Sequence, residues 1–369
     1  MNCDFKSVIS QFCIDGEFIK AEAYGCGHIN DTYAVYMNKD GNTYRVLLQR
    51  INTEIFTDVD GLMNNILGVT SYLREKITER GGNSDRETLT VIKTKAGAPY
   101  YRDALGGCWR VYVFIENTIT LQSARTNEDL YNCGSAFGSF LRDLADYNAE
   151  TLVEVIPDFH NTPKRMEALK KAVADDKIGR AESVKSEIEF ALTREGKAAR
   201  IADALAKGSI PLRVTHNDTK LNNTLVDAVT QKCICVIDLD TVMPGSALYD
   251  YGDAIRFSAS TAAEDETDLS KVNFDLDLFE AFTKGYITAS EGSLAKAETS
   301  LMPTAAMIMT FECGIRFLTD YLQGDTYFKI HRPGHNLDRC RTQFKLVADM
   351  EMKYNDMENK VGKIISELQ

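Results

Sequence analysis

The stretch 214-VTHNDTKLNNTLVD-227 crowds one histidine, two aspartates, one lysine and three asparagines into fourteen positions. It follows the strand-like run PLRVT and leads, through a predicted hairpin, into the apolar run CICVID. Asn and Asp bond their own backbone and favour turns, so a plain polar loop would explain part of this composition. It would not explain why the loop hangs between two segments that read as buried, or why the second ends on an aspartate, Asp238.

The spacing supplies a reason. His216-x-Asp218-x-x-x-x-Asn223, followed after a hairpin by Asp238, has the order of a kinase catalytic loop and its metal-binding aspartate. Phosphoryl transfer from ATP spreads negative charge over the moving group, and Mg²⁺ must neutralise it. Mg²⁺ takes hard oxygen ligands. Asn223 offers a neutral oxygen and Asp238 an anionic one. Asp218 is placed to orient an acceptor hydroxyl and take its proton. His216 reads as a support of the loop, Lys220 as a candidate for the γ-phosphate, and Asp240 as a turn residue, an outer support or a further metal contact.

Upstream, EFIKAEAYG and DTYAVYMNK read as strands around a Gly-containing turn, and NTYRVLLQRIN as a third strand opened by the turn KDGN. Residues 58–77 space their apolar side chains as one helix face. TLTVIKTK and CWRVYVFIE read as two more strands. Beyond about residue 116 the character changes. A helix over 126–147 takes Thr126 as its cap, residues 163–206 read as charged and helical, and most of the remainder is helical. This order is α+β: a small antiparallel sheet with one helix over 1–115, then a larger, mainly helical lobe over 116–369. It excludes a doubly wound sheet or a barrel.

Bulk properties narrow the partners. The chain has 369 residues and a formal net charge of -12, which disfavours nucleic acid and anionic membrane surfaces. Nine cysteines include no C-x-x-C pair, so a zinc ribbon is not expected and free thiols in a reducing compartment are. The N-terminus lacks the pattern of a secretory signal. The apolar stretch 301–322 is interrupted by Pro303, Glu312, Arg316 and Asp320, which predicts a buried helix rather than a membrane span. A cytoplasmic protein is the expectation.

Longer runs carry a resemblance. RVTHNDTKLNNTLVD through VIDLDTVMPGSALYDYGDAIRF, with YGCGHINDTY, WRVYVFIENT, GSAFGSF and ECGIRFLTDYLQGDTYF, resembles the aminoglycoside phosphotransferase and choline kinase superfamily. Within it, these runs are most similar to bacterial N-acetylhexosamine 1-kinases. The resemblance spans nearly the whole chain. It implies a protein-kinase-like bilobal fold, ATP and Mg²⁺ as cofactors, and transfer to the anomeric hydroxyl of N-acetylglucosamine or N-acetylgalactosamine. It also implies a phosphate-covering turn at Gly25 and Gly27, a sugar contact at His28, and a nucleotide hinge at Ile115 and Glu116. Arg316 and Tyr327 would hydrogen-bond the sugar.

One departure stands out. Where the kinase plan has a lysine on its third strand, this chain has Gln49. A neutral amide cannot clamp phosphates by charge, which leaves that role open, with Lys220 one candidate. Glu312, Arg316 and Asp320 share one face of a strongly apolar helix, so they must be paired or face a polar cavity. Asp250 and Asp253 read as fold-holding residues. Asn217, Asn222 and Asp227 receive no role. Competing readings are another small-molecule kinase, a nucleotide-binding pseudokinase suggested by Gln49, and a metal-dependent hydrolase.

Overall fold

Strand formation near the N-terminus follows the burial alternation of its sequence, Val35 and Met37 on one strand sharing a face with Val46 and Leu48 on the next. The computed structural model describes residues 4–25 and 29–368. The strands are β1 (Glu17–Ala23), β2 (Asp31–Lys39), β3 (Asn42–Ile51), β4 (Val91–Ile92), β5 (Tyr101–Arg102), β6 (Cys108–Val113) and β7 (Thr118–Ile119). Later come β8 (Arg213–Thr215), β9 (Thr224–Asp227), β10 (Cys233–Val236) and β11 (Met243–Gly245). The main sheet has the order β1-β2-β3-β6-β4, with β5 also on β6. A second sheet has the order β10-β9-β7, and β11 pairs with β8.

The KDGN turn closes the β2–β3 hairpin with Asp40 at φ 52° and Gly41 at φ 85°. Two positive φ values in a two-residue loop match the right-handed twist of the strands it joins. The register that results places Thr32 opposite Gln49 and Gln49 opposite Arg110, one row across β2, β3 and β6. Beside the sheet, the helix Val59–Glu79 is capped by Asp58, which accepts from the Gly61 N–H at 2.8 Å, and buries Leu62, Met63, Ile66, Val69 and Leu73. The expected strand TLTVIKTK is paired only over Val91–Ile92, because its continuation at Thr94 bridges to Phe12 instead of the sheet.

The chain divides into two compact units. Unit 1 is Met1–Ile119 with Glu150–Pro157 and Leu225–Met243; unit 2 is Thr120–Ala149, Asp158–Thr224 and Pro244–Gln369. Unlike a single cut at 115/116, unit 1 thus takes in two later segments. They are tied in by specific bonds. Asn65 donates to the carbonyls of Val153 and Val242 at 2.8 and 2.9 Å, and Thr118 and Ile119 pair with Asp227 and Val226.

Unit 2 is mainly helical. Thr126 and Asp129 form a capping box at the start of Asn127–Asp143. That helix packs against Leu276–Ala289 at closest approach. A Cβ at Gly134 or Gly138 would lie 2.2 or 2.3 Å from the carbonyls of Phe282 and Tyr286. The GSAFGSF run is therefore a helix-packing face. The stretch 163–206 is helical in pieces, Thr162–Asp175, Lys185–Leu192 and shorter helices, with Asp176 and Gly179 at positive φ between the first two. The helix Lys296–Gln323 is long and apolar enough to cross a membrane by length and composition, and 78% of its most apolar window is buried inside the fold. The fold is α+β, an antiparallel sheet with one long helix and a larger helical unit.

Candidate functional site

The Thr215–Asn223 loop of unit 2 is held from beneath by one carboxylate. Asp250, in the helix Ala247–Ser258, accepts the backbone N–H groups of His216 and Asn217 at 2.8 and 2.7 Å, and its own carbonyl accepts the Thr219 hydroxyl at 2.5 Å. Burial pushes the Asp250 carboxyl up, against the pull of His216 and the two N–H donors. Asn217 adopts a left-handed conformation with φ 65°. Its carbonyl lies 3.2 Å from His160 Nε2, and His160 Nδ1 lies 2.8 Å from Glu312. Glu312 also accepts the Thr162 hydroxyl at 2.7 Å. Burial opposes the Glu312 charge, but His160 and Arg316 outweigh it and hold its pKa below the usual range. His216 is fully buried between the edges of Phe137 and Phe140, and its Nδ1 accepts the Asp218 N–H at 3.3 Å.

Asp218, Lys220 and Asn223, the candidate residues of the loop, are in mutual contact. The Lys220 ammonium sits 2.6 Å from Asp218 Oδ1. Burial opposes that ammonium, while Asp218 and Asp253 outweigh it and raise its pKa. The Asn223 amide nitrogen donates to the Asp218 carbonyl at 2.7 Å and to its Oδ2 at 3.0 Å. With its nitrogen committed, the Asn223 side chain has its oxygen left as an acceptor. Asp253 is paired with Arg256 at 3.0 Å, and Arg256 also reaches Glu264 at 2.8 Å. A cavity of about 600 Å³ beside Leu221 is lined by Arg256, Glu264 and Gln343 among others; Arg316 and Tyr327 are not among its lining residues.

Arg316 lies over the rings of Phe159 and Phe328, at 5.4 and 5.5 Å. Tyr327 is 65% exposed. Its loop is fixed by Asp320, which accepts the N–H groups of Thr326, Tyr327 and Phe328 at 2.8–2.9 Å. So the three charges on the 312–320 helix face have different tasks: two carboxylates anchor loops and one arginine lies over aromatic rings. Arg165 belongs to the same neighbourhood and carries no signal in the motif reading. It donates to the Phe159 carbonyl at 2.9 Å, its buried Nε has no hydrogen-bond partner among the described residues, and burial together with the nearby Arg316 charge lowers its pKa.

Unit 1 carries the remaining expected residues. Asp238 is exposed and left-handed, φ 62°, at the end of β10. Asp240 is 4% exposed and lies 2.5 Å from the Arg110 guanidinium, while Asn30 donates to its other oxygen at 2.5 Å. Asp240 is thus a buried ion-pair partner, and Asp238 is the exposed carboxylate of the turn. Gln49 accepts Arg110 Nε and Nη2 at 2.9 and 2.8 Å and donates to Thr32 Oγ1 at 3.1 Å. Arg110 was legible only as a lone charge inside an apolar strand. At the expected hinge, the Ile115 carbonyl accepts the Thr118 hydroxyl at 2.8 Å and the Glu116 carbonyl accepts Arg86 at 3.0 Å. The Glu116 carboxylate pairs with Arg45. Gly25 is exposed with φ 79°, and Gly27 and His28 lie outside the described residues. Asp227 caps the β9–β10 turn, accepting from Val229 and Thr230 at 3.0 and 2.8 Å, and pairs with Arg86 at 2.8 Å.

The donor chemistry suits a hard cation. Asn223 retains a neutral oxygen and Asp238 an exposed carboxylate, each described within its own unit.

Comparison with known proteins gives the family. The model of the phosphotransferase enzyme family (APH) matches residues 93–283, more than half of the 369-residue chain, and the chain belongs to that family. The fold recurs in solved structures of low identity. A microcompartment-associated aminopropanol kinase is 16% identical, with a TM-score of 0.63, covering 96% of this chain and 97% of that one. An aminoglycoside phosphotransferase from Alicyclobacillus acidocaldarius is 13% identical, also at 0.63, with 98% of each chain covered. Choline kinase from Cryptosporidium parvum is 15% identical at 0.54, with 91% and 90% covered.

Proposed function

We propose that this member of the phosphotransferase enzyme family moves the γ-phosphoryl group of ATP to the anomeric hydroxyl of an N-acetylhexosamine, giving the sugar 1-phosphate and ADP. The observation that carries the reading is the Asp218 carboxylate, held between the Lys220 ammonium and the Asn223 amide on a loop locked by Asp250. Catalysis of phosphoryl transfer is chiefly positioning and charge neutralisation, and this loop supplies the first.

In the proposed reaction Asp218 accepts a hydrogen bond from the anomeric hydroxyl. As its oxygen bonds to the γ-phosphorus and the bond to ADP breaks, the hydroxyl proton passes to Asp218. The anomeric hydroxyl is more acidic than an ordinary alcohol, so modest base assistance suffices. Asn223 and Asp238, which bracket the β9–β10 hairpin in sequence, would hold Mg²⁺. Bound there, the cation would neutralise phosphate charge. Lys220 steadies Asp218 and is a candidate phosphate contact, and the backbone at Ile115 and Glu116 is the proposed adenine hinge. Gly25, Gly27 and His28 complete the proposed phosphate and sugar turn.

A sugar fits better than a cationic acceptor. An amino alcohol or quaternary amine calls for acidic groups or an aromatic cage, whereas the proposed acceptor contact Arg316 has a second arginine, Arg165, for a neighbour. The retained Asp218, Asn223 and Asp238 argue against a pseudokinase. No nucleic-acid or membrane partner is proposed. The cysteines among the described residues are free thiols, which supports a cytoplasmic setting.

The test is ATP consumption with N-acetylglucosamine, N-acetylgalactosamine, glucose, galactose, choline and homoserine, with phosphorus NMR on the product. A phosphate on C1 of an N-acetylhexosamine is expected. Turnover only with an amino alcohol, phosphate on C6, or phosphate release without acceptor would each overturn the assignment.

A further inference from the structure

Gln49 and Arg110 have to be explained together. They face each other in the β3–β6 register, and Thr32 faces Gln49 from β2. Directly opposed residues project to the same side of a sheet, so the row Thr32–Gln49–Arg110 is one connected line of side chains. The Gln49 carbonyl oxygen takes two N–H groups of the guanidinium, at 2.9 and 2.8 Å, and its amide nitrogen is committed to Thr32 at 3.1 Å. A lysine at position 49 would instead set an ammonium against the guanidinium. The glutamine is the residue type that an arginine at position 110 requires.

Arg110 is 1% exposed, and a buried charge must be paired. Its remaining nitrogen, Nη1, lies 2.5 Å from Asp240. Burial opposes its charge, yet Asp240, Tyr112 and Asp238 together raise its pKa. Asp240 is completed by Asn30 at 2.5 Å, and Asn30 in turn accepts the Asn52 N–H at 2.9 Å. The turn Asp238–Leu239–Asp240 therefore holds two carboxylates with divided roles. Asp240 faces inward and is neutralised, while Asp238 is exposed in a left-handed conformation.

We propose that Arg110 is a positioning residue for nucleotide binding, its paired cation standing one strand away from where the kinase plan puts a lysine. It acts through Asp240, fixing the turn that presents Asp238. Gln49 acts as the neutral bracket that aims the guanidinium. This rests on the phosphoryl-transfer reading and goes beyond it, since it moves the missing charge to a position that no motif marks.

The experiment uses the full chain and three variants: Arg110→Gln, Arg110→Lys, and the exchange Gln49→Lys with Arg110→Gln. Binding of ADP with and without Mg²⁺ is measured by calorimetry, with circular dichroism and thermal melts as the check on folding and kcat and KM for ATP alongside. Arg110→Gln is expected to lose at least about tenfold in Mg²⁺-ADP affinity, with a smaller change for ADP alone. Arg110→Lys falls between, because one ammonium cannot span Gln49 and Asp240. The exchange returns a cation to the same row and recovers most of the lost affinity.

A folded Arg110→Gln protein that binds Mg²⁺-ADP as the wild type does would overturn the proposal. So would an exchange protein that fails to fold or binds no better than Arg110→Gln, because Arg110 would then serve packing alone. Failure of the underlying reading looks different: the wild-type protein itself would bind no Mg²⁺-ADP, and both conclusions would fall.

Discussion

Two turns in this molecule solve a similar problem by different chemistry. In unit 2, the loop carrying Asp218 has left-handed Asn217 beside it and buried Asp250 beneath. In unit 1, left-handed Asp238 stands over buried Asp240. Each pairs a carboxylate of the proposed site with a buried one. Asp250 is satisfied by neutral backbone N–H donors, whereas Asp240 is ion-paired with a guanidinium and accepts one amide. Backbone donors dictate the path of the chain and leave the charge of the loop to Lys220 and Asp218. A guanidinium cancels the charge of the buried carboxylate and ties its turn to the sheet.

Removing the acting carboxylate breaks the comparison most severely. Asp218→Ala is expected to lower kcat by about 10²–10⁴-fold, the usual span for a positioned acid or base. Nucleotide binding should persist, measured by calorimetry; loss of nucleotide binding would assign Asp218 to the nucleotide instead.

Taking away the buried carboxylate of unit 2 comes next. Asp250→Ala orphans two buried N–H groups, at about 1–3 kcal/mol each. Chemical denaturation should show the loss, and activity should fall further than stability explains because Asn217 no longer holds its turn. A variant as stable as the wild type would mean that the loop is fixed elsewhere.

The smallest effect concerns the outer brace, Glu312. Its pKa is lowered in the fold, so its contribution is fully present above the ordinary glutamate range and is lost as pH falls through the lowered value. Glu312→Gln should therefore cost roughly 1.5–3 kcal/mol near neutral pH, the scale of a hydrogen bond to a charged group. Thermal melts should show the gap to the wild type closing below pH 4.5, the ordinary value from which the shift starts. A gap independent of pH would place the stabilisation in packing.

Local chemistry made much of this legible in advance. The KDGN turn, the Thr126 cap, the apolar periodicity of the helix after Asp58 and the spacing His216-Asp218-Asn223-Asp238 each depend on residues close in sequence. Boundaries failed where a distant partner intervened, as when Thr94 left the sheet to meet Phe12. Asn217 and Asp227 carried no readable role, because the groups that give them one lie elsewhere in the chain: Asp250 and His160 for the first, Arg86 for the second.

The sequence by itself determined the α+β plan, the polar loop between two buried strands and the residue types needed for phosphoryl transfer. Only the tertiary structure decided which charges are spent on one another. Asp240 turned inward to Arg110, Gln49 became a bracket, and Glu312 became a loop anchor. The physical reason is that a buried charge must find its partner through strand register and helix packing. Those neighbours lie tens to hundreds of residues apart, where no local spacing records them.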